Sequence, residues 1–281
     1  MTRRPFIPAL LLVAAAACAN SGARSASAPA NALPAGSVES GTRIAGSPRH
    51  GEWAMIRTGP QDSVRAWVVY PERKDKAPVV VVIHEIFGLS TWIRSVADQL
   101  AAQGYIAIAP DLLTGKVPLQ GDTATQAAAT AAIRTLKPDD VQRQLAAVGT
   151  WGMQLPAAQR AWATLGFCWG GSTSFQAAVA NPAGLKAAVV YYGTAPAPAQ
   201  VARIRVPVIG LFGGDDARVN ATIPAADSTM RARGGTFSVN IFDGAGHGFL
   251  RQQDGKDGAN LAATQKAWPL TIAFLRKHLG T

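Results

Sequence analysis

Cys168 is the residue on which chemistry would turn. It stands in Gly166-Phe167-Cys168-Trp169-Gly170, between a stretch that reads as a strand (160–167) and one that reads as a helix (172–180). A nucleophile with glycines two residues to either side, on a strand-to-helix turn, is the pattern of a nucleophile elbow. The turn is tight, so a side chain at 166 or 170 would collide with the neighbouring strand and helix. It lifts the sulfur to the sheet edge at the positive end of the next helix, which predicts a thiol biased toward thiolate. The plainer reading of a lone cysteine is a small buried core residue.

A thiol nucleophile needs a base, and the base needs an orienting acid. In this arrangement they follow in the order nucleophile, acid, histidine. Asp215 and Asp216 come just after the apolar run 206–212. His247 follows the run 237–242, in Gly244-Ala245-Gly246-His247-Gly248, where no packing need explains an imidazole. Of the other three histidines, His50 lies in the entry segment and His278 in the last helical turn. His84 ends a strand and is a candidate to line the site, against the plainer reading of a structural histidine.

These residues need a scaffold that brings strand ends to one edge. Short Val/Ile-rich runs alternate with helix-like stretches from about residue 52 onward. Runs 64–70, 78–84, 105–109, 160–167, 185–191, 206–212 and 237–242 read as strands. Stretches 91–103, 139–153, 172–180, 224–233 and 261–279 read as helices, the last bent or divided at Pro269. Such alternation predicts an α/β fold, a mainly parallel twisted sheet with helices on both faces and its chemistry beyond the strands' carboxyl ends. Residues 112–137 are irregular and are expected to form a lid or rim.

His84-Glu85-Ile86-Phe87-Gly88-Leu89, Ala109-Pro110-Asp111-Leu112, Gly166 to Gly171, Gly213 to Val219 and Gly246-His247-Gly248-Phe249 together resemble the dienelactone hydrolase family, of the α/β-hydrolase superfamily. The resemblance runs from about Gly51 to the C-terminus. It implies hydrolysis of carboxylic esters or lactones, with Cys168 attacking the carbonyl, His247 as general base and acid, and Asp216 rather than Asp215 as the orienting acid. It further implies that Glu85 contacts the resting thiol and moves when substrate binds, and that the backbone N–H groups of Ile86 and Trp169 form the oxyanion hole. The family holds a substrate carboxylate with two arginines. Arg251 matches one; Gly115 falls where the other is expected, with Lys116 beside it. Arg251, Lys116 and His84 are thus the expected substrate contacts. The alternative is an inactive binding lipoprotein that keeps the fold.

The chain has 281 residues, 48% of them apolar, enough for one well-packed domain, expected over 47–281. Its formal charge of +10 is scattered, without the dense basic cluster and aromatic platform of a nucleic-acid binder. No metal cluster or cofactor fingerprint appears, so a small ester or lactone, which can be anionic, is the expected partner of a monomer. Residues 1–18, with Arg3, Arg4 and the apolar run Ile7 to Ala17, have the layout of an export signal. It is twin-arginine-like at 2–7 and lipoprotein-like at Ala15-Ala16-Ala17-Cys18. An exported protein is expected, periplasmic or anchored to a membrane by a lipid on Cys18. Residues 19–46, rich in Ala, Ser, Gly and Pro, read as a flexible spacer.

Overall fold

The computed structural model describes residues 32–280. Helix α1 (Ser40–Ala45) precedes the hairpin β1 (Gly51–Gly59) and β2 (Asp62–Val69). Then come β3 (Ala77–Ile83), α2 (Thr91–Ala102) and β4 (Ile106–Pro110). A two-stranded ribbon, β5 (Leu119–Gln120) and β6 (Thr123–Ala124), leads to α3 (Gln126–Ile133) and α4 (Pro138–Gln154). The second half runs β7 (Ala158–Phe167), α5 (Trp169–Ala180), β8 (Leu185–Tyr191), α6 (Pro198–Val201) and β9 (Val208–Gly213). It closes with α7 (Ala217–Asn220), α8 (Ile223–Ala232), β10 (Phe237–Phe242) and α9 (Ala259–Leu279).

Eight strands form one sheet in the order β1-β2-β4-β3-β7-β8-β9-β10. β2 pairs antiparallel with both β1 and β4, and every pairing from β4 to β10 is parallel. β3 is buried along its whole length, as a continuous Val/Ile run demands of a parallel strand covered on both faces. One cover is α2 with α9, through Trp92, Leu100, Trp268 and Leu275. The other is α4 through Leu145 and Val148, and α5 with α8 through Phe175 and Met230. Ile83 lies beside Gly166, Phe167 beside Tyr191, Tyr191 beside Leu211, and Gly213 beside Phe242. Every residue following one of these strand ends therefore emerges on the same edge.

Three expectations are corrected. Pro269 does not divide α9, which continues from Ala259 to Leu279. Pro269 and Gln265, whose carbonyl loses its i+4 donor, are both exposed, so water can satisfy that oxygen, while Trp268 and Ile272 hold the helix on the sheet. The region 112–137 is more ordered than a loop. Thr125 caps α3 by accepting from Ala128 N–H, and Ala129 and Ile133 join Leu113 in a small core against Ile86 and Trp169. The expected export signal, and the spacer up to residue 31, lie outside the described residues.

The third correction concerns residues 32–46, which are docked rather than a spacer. Their backbone carbonyls accept from side chains across the molecule: Trp92 Nε1–H reaches Ala35 O at 3.1 Å, Gln99 Nε2–H reaches Ala32 O at 2.8 Å, and Gln253 Nε2–H reaches Pro34 O at 2.8 Å. Composition could not reveal this, because beyond Leu33 and Ala35 the anchors are backbone carbonyls whose donors lie far along the chain. Just beyond it, Arg49 forms a fork with Asp98 (Nη2–Oδ2 2.6 Å, Nε–Oδ1 3.0 Å), and Ser47 Oγ also bonds that carboxylate. Both partners are buried, with side chains 2% and 5% exposed. Removing one partner strands the other charge away from water. Arg49→Ala is therefore expected to lower the unfolding free energy by about 3–5 kcal/mol in urea titrations; a loss of under about 1 kcal/mol would mean that the pair does not anchor the segment.

Candidate active site

Cys168 has φ 56° and ψ −115°, outside the ordinary helix and strand regions, both of which lie at negative φ, as an elbow turn requires. The glycines beside it are sterically obligatory. A Cβ on Gly166 would meet Gly170 O at 1.9 Å, and a Cβ on Gly170 would meet Ile83 O at 2.3 Å. Cys168 N–H donates to Tyr191 O, and Cys168 O accepts from Ser172 N–H, fixing the turn between β8 and α5.

The thiol is not poised as thiolate, contrary to the expectation from the helix end. Burial raises its pKa to about 11, and the negative charge of Glu85 adds to the rise. The Trp169 N–H and the Arg218 charge pull the other way and do not prevail. A helix N-terminus and one N–H favour the anion, but here they face desolvation and a nearby carboxylate together.

His247 Nδ1 lies 2.5 Å from Asp216 Oδ2. Asp216 is buried and also caps α7, its Oδ1 accepting from Val219 N–H at 3.5 Å. Asp215 turns away and pairs with Lys256 at 3.0 Å on the surface. The Nδ1 contact leaves Nε2 of His247 for proton exchange. Among the described residues no hydrogen bond joins the Cys168 thiol to His247. Tyr192 connects their surroundings. Its ring is 5.2 Å from that of His247, it follows the strand whose last carbonyl holds the Cys168 N–H, and its phenol feels the charges of Glu85 and Cys168.

Glu85 is almost fully buried, and burial raises its pKa to about 7 against the opposing charge of Arg251. Arg251 Nε is 3.2 Å from Glu85 Oε2, an ion pair whose angles do not make a hydrogen bond. The guanidinium lies over Phe87 at 5.0 Å. Ile86 and Trp169 are both half-buried at this edge and pack against the core of α3.

The structure thus gathers Cys168, Glu85, Arg251, Asp216 and His247 on one edge, but not two of the expected substrate contacts. His84 is fully buried. Its Nδ1 lies 2.7 Å from Glu85 O, its Nε2 accepts from Leu112 N–H at 3.3 Å, and it stacks on Trp169. Burial lowers its pKa, which suits the neutral tautomer with the proton on Nδ1. It braces the Glu85 loop and is out of a substrate's reach. Lys116 is exposed in a turn where Gly115 adopts φ 72°. Sequence reasoning missed Tyr192. Its φ of 39° is unusual for a residue with a side chain, it is fully buried, and its hydroxyl has no hydrogen-bond partner among the described residues. The signal was present in Tyr191-Tyr192-Gly193, an aromatic pair at a strand end on the functional edge.

Residues 64–279 match the model of the dienelactone hydrolase family. The chain belongs to that family. It is 30% identical over 231 residues to a Methylorubrum extorquens protein that carries the name carboxymethylenebutenolidase, covering 78% of each chain. A Bradyrhizobium relative named for 2-oxo-3-(5-oxofuran-2-ylidene)propanoate lactonase activity is 28% identical over 242 residues, covering 81% of this chain and 94% of its own. Among solved structures, a Klebsiella pneumoniae protein described as a dienelactone hydrolase superposes with a TM-score of 0.72 at 24% identity, covering 83% of this chain and all of its own. As a member of this family the chain is a hydrolase with the α/β-hydrolase fold.

Two outcomes follow from Glu85. Removing its charge lowers the thiol pKa, so Glu85→Gln should speed iodoacetamide alkylation of Cys168 by about three- to tenfold near pH 8, since one pKa unit is about tenfold in thiolate; an unchanged rate would mean that the carboxylate does not hold the thiol protonated. The second is in stability. A carboxyl raised from 4.5 to about 7 on folding stabilises the protein fully below 4.5, and that contribution is lost as pH climbs through 7. Urea unfolding across this window should show wild type losing stability relative to Glu85→Gln, and parallel curves would refute the shift.

Proposed function

We propose that this protein hydrolyses carboxylic esters or lactones through Cys168, His247 and Asp216. The observation that carries the reading is the 2.5 Å contact of His247 with buried Asp216, on the edge where the elbow presents Cys168. Asp216 fixes the imidazole so that Nε2 can take the thiol proton. The sulfur attacks the carbonyl carbon, and the resulting oxyanion is held by the backbone N–H groups of Ile86 and Trp169, each worth about 3 kcal/mol in such a site. The intermediate collapses to a thioester as the alkoxide leaves with the proton from His247. Water, deprotonated by the same imidazole, then cleaves the thioester and restores the thiol.

The resting thiol is protonated, so attack requires that Glu85 lose its hold on the sulfur. A substrate carboxylate near Arg251 would compete for the guanidinium and free Glu85 to shift, which suits an anionic ester or lactone. Lactones agree with the names of the relatives, which give no support to an inactive binding protein. Export, with cleavage after the apolar segment or lipid attachment at Cys18, is part of the same proposal and rests on residues 1–18 alone.

The test is turnover of p-nitrophenyl acetate and of dienelactone by the mature protein. Cys168→Ala should lose at least about 10³-fold in kcat, and Asp216→Asn about 10²–10⁴-fold. Equal turnover by wild type and Cys168→Ala would end the proposal.

A further inference from the structure

A cavity of about 230 Å³ opens beside the catalytic edge, lined by Glu85, Phe87 and Arg251 and, on its outer side, by Ser37 and Ser40. Glu85 belongs both to this cavity and to the electrostatic surroundings of the Cys168 thiol. The two serines come from the docked N-terminal segment, which lies ahead of the family match beginning at residue 64. The wall therefore lies outside the part of the chain that the family model matches.

The segment is attached to the functional loop itself. Ser37 N–H donates to Arg251 O at 2.8 Å, and Gln253 Nε2–H donates to Pro34 O at 2.8 Å. Ser40 Oγ–H donates to Ser37 O at 2.8 Å, bracing the wall from within. The loop carrying His247 and Arg251 is thus held from the outside by residues 34–37.

We propose that residues 34–40 are a specificity wall that limits the non-reacting part of the ester or lactone to a compact polar group. This rests on the hydrolase reading above. Thr91 and Thr123 add hydroxyls to the same lining, together with the rings of Phe87 and Trp92. A long alkyl chain would strip water from this polar rim and return no hydrogen bond, whereas a hydroxyl- or carboxyl-bearing group would bond to it.

The experiment measures kcat/KM for wild type, Ser37→Phe and Ser37→Gly on esters graded in size, one series in the acyl part and one in the alcohol part. Both substitutions keep the backbone N–H to Arg251. Ser37→Phe should lower the large-to-small ratio by about tenfold in one series, and Ser37→Gly should raise it in the same series. A folding defect would lower all substrates together and would not change sign between the two variants. Ratios within about twofold of wild type in both series, for both variants, would overturn the wall while leaving the hydrolase reading intact. Absence of wild-type turnover on every ester would overturn both.

Discussion

The site depends on a backbone contact. β7 must run into α5 with Gly166 and Gly170 packed so closely that a Cβ at either would overlap a carbonyl. That approach forces Cys168 to a φ of 56° and points it out of the sheet edge. The strain is tolerated because its surroundings over-determine it, with Tyr191 O on one side, Ser172 N–H on the other, and β3 and β8 flanking β7. Once the elbow is fixed, parallel register brings the ends of β3, β8, β9 and β10 to the same edge. Glu85, Tyr192, Asp216 and His247 need only emerge from those ends to become neighbours.

Charge then divides the site into two halves. On one side Asp216 and His247 share a 2.5 Å contact that fixes the imidazole's orientation. On the other, Glu85 and Arg251 form a buried pair beside the thiol, and Glu85 carries a carboxyl whose pKa has risen to about 7. The two halves oppose each other at the sulfur: Glu85 disfavours the thiolate that nucleophilic attack would use. Arg251 is the element through which a ligand could change the balance, because whatever takes its charge alters Glu85 at the same time. His84 has no part in this exchange. It ties Glu85 O to the Leu112 N–H, bracing the backbone of the loop that carries Glu85.

The parts of the fold that follow from periodicity and local sterics were legible. The wholly buried Val/Ile run of β3, the glycines around Cys168, and the placement of Asp216 and His247 just past strand ends can be read from residue type and spacing. Harder to read were features whose partners lie far along the chain. The segment 32–46 looks like a spacer because its anchors are carbonyls, and their donors, Trp92, Gln99 and Gln253, are visible only in three dimensions. The thiol's protonation was misjudged for a related reason. The helix end is written next to Cys168, but the burial and the Glu85 charge that outweigh it are assembled from other strands. Lys116 sits beside the position of a family arginine in sequence, yet its turn leaves it in solvent.

A protonated thiol also suits a lone cysteine in the exported setting proposed here. Oxidants attack the thiolate far more readily than the thiol, so susceptibility follows thiolate content and exposure. With its pKa pushed up to about 11, Cys168 is almost wholly protonated at neutral pH. Burial lowers exposure and thiolate content together, and the Glu85 charge lowers thiolate content further. An enzyme that raised its resting thiolate by losing that carboxylate would gain nucleophile in the absence of substrate, when nothing is there to be hydrolysed and only oxidants can react. In the proposed reaction, where a substrate carboxylate draws Arg251 from Glu85, activation would be confined to the occupied site.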